Sequence, residues 1–273
     1  MTIKMILALA DGGGGTAATL RAAVAVARRF SANLDVLHVR ADVETMVPVI
    51  GEGMSGAMVE QMMSAMAQTV ETRAAKAKAA YQEVCAGAGP QAVWRESTGR
   101  ETDIVANAGR LVDLIVVGKP DAETETPLAA TLDAALFDTG RPVLVAPAAP
   151  TVGNRVVVAW NGSAQAARVV AAALPFLRAA EQVTVVTVGE IGRSASAADL
   201  IGYLGQHGVR AVHEALTAEH ATTGATLLSY AGRTQADLLV MGAYGHSRLR
   251  EMILGGATRD LLTTTTVPLL MAH

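Results

Sequence analysis

The chain has 273 residues, 51% of them hydrophobic and 17% charged, which excludes a disordered segment and allows one large domain or two small ones. A net charge of −3 with no basic block excludes an obvious nucleic-acid surface. The single cysteine, Cys85, excludes an internal disulfide. With no leader pattern and no apolar run of about 18 residues, the expected location is the cytoplasm, without a membrane partner.

In chain order, the first strand is the apolar run ILALADG (Ile6 to Gly12), ending in Asp11. Glycines 12 to 15 follow, but no Gly-Lys-Ser/Thr accompanies them, so they read as a turn and not a P-loop. TAATLRAAVAVARRF then carries apolar residues at three- and four-residue spacing, a helix, and LDVLHV is the second strand, with His38 at a buried strand end. A loop from Val47 to Gly56 leads to Met54, Met58, Met62 and Met66, with Met63 beside them. At helical spacing this is one soft apolar stripe. Packing on the sheet is its ordinary role; seating a protein partner or a small hydrophobic ligand is the rarer one. Cys85, in YQEVCAGAG, reads as a small apolar helix residue and not a nucleophile.

Two further strands, DLIVVG (Asp113 to Gly118) and RPVLVAP, complete a first copy, and PAAPTVGN is a linker of turn-forming residues. The pattern then starts again. VVVAWNG (Val156 to Gly162) repeats the first strand 150 positions on; a helix with Ser163 as N-cap, the strand VTVVTV, DLLVMG (Asp237 to Gly242) and VPLLMAH follow. The offset falls to 124 at DLLVMG, so the first copy carries roughly 25 additional residues after its second strand. The expected domains are residues 1–148 and 154–273, each β-α-β-α-β-α-β. Continuous apolar strands indicate parallel sheets covered on both faces, an α/β fold with ligand sites at the strand C-termini.

Behind the Leu238-Leu239-Val240 run stands MGAYGHSRLREMILGGATRD, Met241 to Asp260. Backbone amides at such glycine turns and at a helix N-terminus can converge on an anion. Glycine spacing alone leaves a phosphate cradle and plain turns equally open. The wider pattern decides: Gly-x-x-Gly, nine residues, then Gly with a small residue, behind an apolar strand, together with an acidic or amide residue ending the first strand, resembles the universal stress protein family. The resemblance covers both halves, so the chain is similar to a tandem member.

That resemblance implies two open parallel-sheet units, Rossmann-like and of the adenine nucleotide α-hydrolase type, about a pseudo-twofold axis. The second half then supplies the pairing partner within the chain, and further pairing into homodimers is left open. It also implies a site in the C-terminal unit for ATP, ADP or AMP, with or without Mg. Ala159, Trp160 and Asn161 would border adenine and ribose, and Val188 would line the adenine pocket. Met241 and Gly242 would begin the phosphate loop, Gly245 would continue it, and Gly255, Gly256, Ala257 and Thr258 would close around the phosphates. Asn161 stands where the family usually has aspartate and brings no charge for a metal ion. Gly256 stands where serine or threonine is frequent, so a hydroxyl is lost while the amide remains.

In the first copy Asp121 falls on Gly245. Pro120 lacks an N–H, and Asp121, Glu123 and Glu125 oppose a phosphate, with Lys119 as counterweight. That unit is not expected to hold ATP in the family's manner. No His or Cys array suits zinc; His246 at the turn reads as solvent-facing, and Arg248 and Arg250 either cover phosphate or are surface. The expectation is a stress-response protein acting as a nucleotide-gated regulatory or interaction module toward unknown protein partners. With no poised base, hydrolysis would be slow at most. The alternative is a scaffold that binds through the methionine helix. An adenylating enzyme ranks last, lacking Ser-Gly-Gly and His-x-Gly-His motifs.

Overall fold

The computed structural model describes residues 2–42, 56–86, 92–119, 127–147, 151–189, 195–217, 222–243, 261–262 and 264–273. The N-terminal unit contains β1 (Met5–Leu9), α1 (Thr16–Phe30), β2 (Asn33–Arg40), α2 (Gly56–Cys85), β3 (Ala92–Thr98), α3 (Glu101–Gly109), β4 (Leu114–Gly118), α4 (Pro127–Asp138) and β5 (Val143–Ala146). The C-terminal unit contains β6 (Arg155–Ala159), α5 (Ala164–Ala179), β7 (Gln182–Val188), α6 (Ala197–Gln206), β8 (Val212–Leu216), α7 (Thr223–Arg233), β9 (Leu238–Gly242) and β10 (Leu269–Ala272). Leu261, Leu262 and Thr264 are also helical, within the segment where the sequence predicts a last helix.

All ten strands form one sheet, in the order β3-β2-β1-β4-β5-β10-β9-β6-β7-β8. Each unit repeats the same strand order, and the two halves meet at β5 and β10. That pair is antiparallel, with Leu144 opposite Leu270, and every other pairing is parallel. The predicted α/β fold of two open parallel units is therefore present, fused edge to edge into a continuous sheet.

Each unit has five strands where the periodicity predicts four. The additional ones, β3 (AVWREST) and β8 (VHEAL), are the two outer edges of the sheet and are largely exposed. An edge strand has few buried positions to fill with apolar residues, so it lacks the continuous Val/Leu run that marks the central strands.

Two apolar layers cover the sheet. One joins α1 and α5, through residues such as Leu20, Val26, Val169 and Phe176. The other contains Val105, Leu132, Leu227 and Leu261. The repeated aspartate of DLIVVG and DLLVMG has a structural cause that the motif itself conceals. Asp113 accepts the backbone N–H of Lys4 (2.8 Å) and Met5 (3.0 Å), so it ties the start of β4 to the start of β1. Asp237 accepts those of Gly153, Asn154 and Arg155, at 3.2, 3.0 and 2.7 Å. Arg29 of α1 crosses to the other unit, where it donates to the Gly153 carbonyl (2.8 Å) and the Asn154 side chain, and Phe30 meets Phe176 edge-on with ring centres 4.9 Å apart.

Candidate functional site

In an open parallel sheet, the crevice lies where neighbouring strands send their chains to opposite sides. In the C-terminal unit this point falls between β6 and β9, which pair through Val156–Leu238, Val157–Leu239 and Val158–Val240. The strand order puts β7 on the other side of β6. Three of the sequence-predicted site residues come together here. Ala159, Val188 and Met241, at or next to the C-terminal ends of β6, β7 and β9, are partly buried against the same apolar layer. They form a shelf across three adjacent strands.

Asn161 is exposed on the turn after β6, and its Oδ1 accepts the N–H of Ser163 at 3.1 Å. Ser163 caps α5 as the sequence predicts, with Oγ accepting from Ala166 N at 3.2 Å. Gly242 lies against this first turn. A Cβ on it would stand 2.7 Å from Ala166 N and 2.8 Å from the carbonyl carbon of Gln165. The strand end and the positive end of the helix dipole are thus in van der Waals contact, and a side chain at 242 would separate them.

Trp160 faces away from the shelf. Its backbone N–H donates to Val186 O (2.8 Å), its indole is buried in the opposite apolar layer, and Nε1 donates to Ala195 O at 2.9 Å. Gly245, Gly255, Gly256, Ala257 and Thr258, together with His246, Arg248 and Arg250, lie outside the described residues. So do Met54, Pro120, Asp121, Glu123 and Glu125 of the N-terminal unit.

Residues 153–273, the whole C-terminal unit, match the family model described as "Universal stress protein family". The C-terminal unit thus carries a universal stress protein domain. A relative from a Synechocystis strain, universal stress protein Slr1230, is 26% identical, and the alignment covers 98% of this chain and 99% of the relative. In fold, a universal stress protein from Archaeoglobus fulgidus superposes with a TM-score of 0.69 at 18% identity, covering 99% of this chain and 96% of its own. A putative universal stress protein from Pseudomonas aeruginosa gives 0.55 at 14% identity, covering 99% and 93%. Both likenesses in fold span the two units.

The N-terminal unit is built differently at the equivalent edge. Asp11 holds the turn after β1: its Oδ1 accepts Gly13 N (3.1 Å) and the Thr16 hydroxyl (2.5 Å), matching Asn161 in position. Gly12 has φ +77°, and a Cβ there would fall 2.2 Å from Arg73 O on α2. The glycine run is therefore a turn, as read from the absence of a P-loop lysine, and its first glycine is pressed against α2. Arg73 Nε donates to Asp11 O at 3.0 Å.

Beside this turn is a cavity of about 740 Å³, walled by the ends of β1 and β2, by α2 and by the start of α3. The sequence gives no direct signal of it. Met62 and Met66 line it, while Met58 is 56% exposed and the only fully buried residues of α2 are Ala74, Ala77 and Cys85. Packing into the core is thus not the role of the described α2 methionines. Burial pushes the Cys85 thiol up to about 11, so it stays protonated at neutral pH and is no nucleophile. His38 is buried at a strand end, as predicted. Among the described residues no His/Cys/Asp/Glu group could hold a metal, and no helix is long and apolar enough to cross a membrane.

Proposed function

We propose that the C-terminal unit binds an adenine nucleotide and that occupancy regulates the loop following β9. The observation that carries this reading is the shelf of Ala159, Val188 and Met241 at a strand crevice, with the first turn of α5 packed on Gly242 beside it. A flat apolar base suits the shelf. The helix dipole at the adjoining turn suits an anion, and the glycine pattern that follows Gly242 in sequence is the family's phosphate loop by resemblance. Asn161 hydrogen-bonds ribose hydroxyls without adding a charge, so affinity depends less on Mg than an aspartate would make it. Trp160 contributes its backbone only.

The reading includes no catalytic base, so ATP hydrolysis is slow at most and the protein acts as a nucleotide-gated module toward partners. Thermal unfolding of the full chain with and without MgATP tests it. Nucleotide at ~100 times its Kd adds about 2.7 kcal/mol of stability. The shift disappears in Gly245→Asp, which writes the N-terminal unit's residue into the loop. An unchanged melting curve at millimolar MgATP overturns the proposal.

A further inference from the structure

We infer that the N-terminal unit carries a ligand site of its own: the cavity between α2 and the ends of β1 and β2 takes a small molecule with an apolar body and one carboxylate, and Arg100 at the rim holds the carboxylate. The volume of about 740 Å³ is that of a small-molecule pocket. Leu9, Leu37, Val39, Met62, Met66 and Val70 wall it with apolar side chains. The two methionines come from the stretch of α2 ahead of Ala74, in which no residue is fully buried. Their unbranched thioethers adapt to the shape of what they cover.

The charged side chains of the lining define the rest of the ligand. Asp11, Asp42 and Glu101 stand against Arg73 and Arg100. Asp11 and Arg73 are paired. Arg73 Nε donates to the Asp11 carbonyl at 3.0 Å, and its guanidinium lies 3.8 Å from the Asp11 carboxylate, which also accepts Gly13 N and Thr16 Oγ1. Asp42 is partly buried and has a polar interaction of its own. Burial holds Glu101 toward its neutral form, in which it opposes an anion less than a free carboxylate would.

Arg100 differs from all of these. It is exposed, it stands at the N-cap of α3 without a side-chain capping bond, and its guanidinium has no partner among the described residues. A guanidinium stays charged at any working pH, and its planar fork fits one carboxylate through two parallel N–H···O bonds. The carboxylates of the same lining set the upper limit on charge. A doubly charged phosphate meets the full repulsion of Asp42 and Asp11, and a single carboxylate about half of it. The site therefore differs in ligand class from the nucleotide site of the other unit, and it does not rest on that reading.

The test is isothermal titration calorimetry of the full chain with 2-naphthoate. Two probes of similar shape accompany it: 2-naphthamide, which lacks the charge, and 2-naphthylmethylammonium, which reverses it. Naphthoate should bind saturably and about tenfold more tightly than naphthamide, and saturating MgATP should leave that binding unchanged. Arg100→Gln should lower the naphthoate affinity by about tenfold and leave naphthamide unchanged, because only the first loses an ion pair. The Arg100 side chain makes no capping bond, so this variant should melt with the parent. Met66→Trp takes up space on the apolar wall and should weaken naphthoate and naphthamide alike. Absence of saturable naphthoate binding, equal affinity for naphthamide, tighter binding of the ammonium probe, equal effects of Arg100→Gln on naphthoate and naphthamide, undiminished binding in Met66→Trp, or displacement by MgATP each overturns the inference.

Discussion

The two units use one strand order and the same turn after their first strand, yet they fill the space above the strand ends in opposite ways. In the C-terminal unit Trp160 turns its indole into the apolar layer on the α5 side, with Nε1 bonded to the carbonyl of Ala195 just ahead of α6. At the matching position the N-terminal unit has Ala10, and a cavity opens there. The helix after the second strand differs as well. It is α6, with 10 residues, in one unit and α2, with 30, in the other. At 1.5 Å per residue the additional turns of α2 carry Met62 and Met66 across the strand ends. One buried side chain and one extended helix are enough to separate the filled α5-side layer of the C-terminal unit from the hollow in the N-terminal unit, while the fold is retained.

The sharpest way to break this comparison is to exchange the two residues. Trp160→Ala empties the C-terminal layer and should lower the unfolding free energy by roughly 3–5 kcal/mol in denaturant titration. Ala10→Trp places the same side chain over existing space and should cost less than Trp160→Ala. If Ala10→Trp is the more damaging of the two, the indole does not fit the N-terminal hollow and the equivalence fails.

A smaller difference separates the two matched aspartates. Asp237 receives three backbone N–H groups and Asp113 two. Removing a charged acceptor strands those donors, so Asp237→Ala should cost about 2–3 kcal/mol and Asp113→Ala about 1–2 kcal/mol. Equal losses would mean that the third bond, at the unit junction, contributes nothing.

The smallest effect concerns Glu101, at the start of α3. Burial raises its pKa, and the neighbouring Asp11 charge adds to the rise, against a hydrogen bond from Thr131 and the attraction of Arg73. Folding therefore favours the protonated form. Stability from this group is complete below the ordinary carboxylate range and is lost as pH rises through the raised value. Glu101→Gln keeps an oxygen for Thr131 without the charge, so its stability relative to the parent should increase as pH rises through that range. A pH-independent difference would show that Glu101 titrates as an ordinary surface carboxylate.

Much of this architecture is legible in the sequence, because buried parallel strands must be apolar throughout and the two copies keep their order. ILALADG and VVVAWNG are strands with matching turns, Ser163 is an N-cap, and the absence of a lysine after Gly15 correctly marks a turn. The edge strands escape detection, since AVWREST and VHEAL face solvent and mix polar with apolar residues. Spacing also misses why Gly242 is glycine: the first turn of α5 occupies the place of its Cβ, a contact between residues far apart in sequence. Nor can it place Trp160, whose neighbours Ala159 and Asn161 belong to the crevice while its own side chain faces the other layer. The methionine stripe is plain as a helix face, but whether such a face meets core or cavity depends on how far α2 overruns the sheet.

The most direct test of divergence between the units is the stoichiometry of MgATP binding to the full chain by isothermal titration calorimetry. The account predicts a single site per chain, lost in Gly245→Asp and preserved in Ala10→Trp. Two sites per chain, or a single site that survives Gly245→Asp and is lost in Ala10→Trp, would place nucleotide in the N-terminal cavity and contradict it.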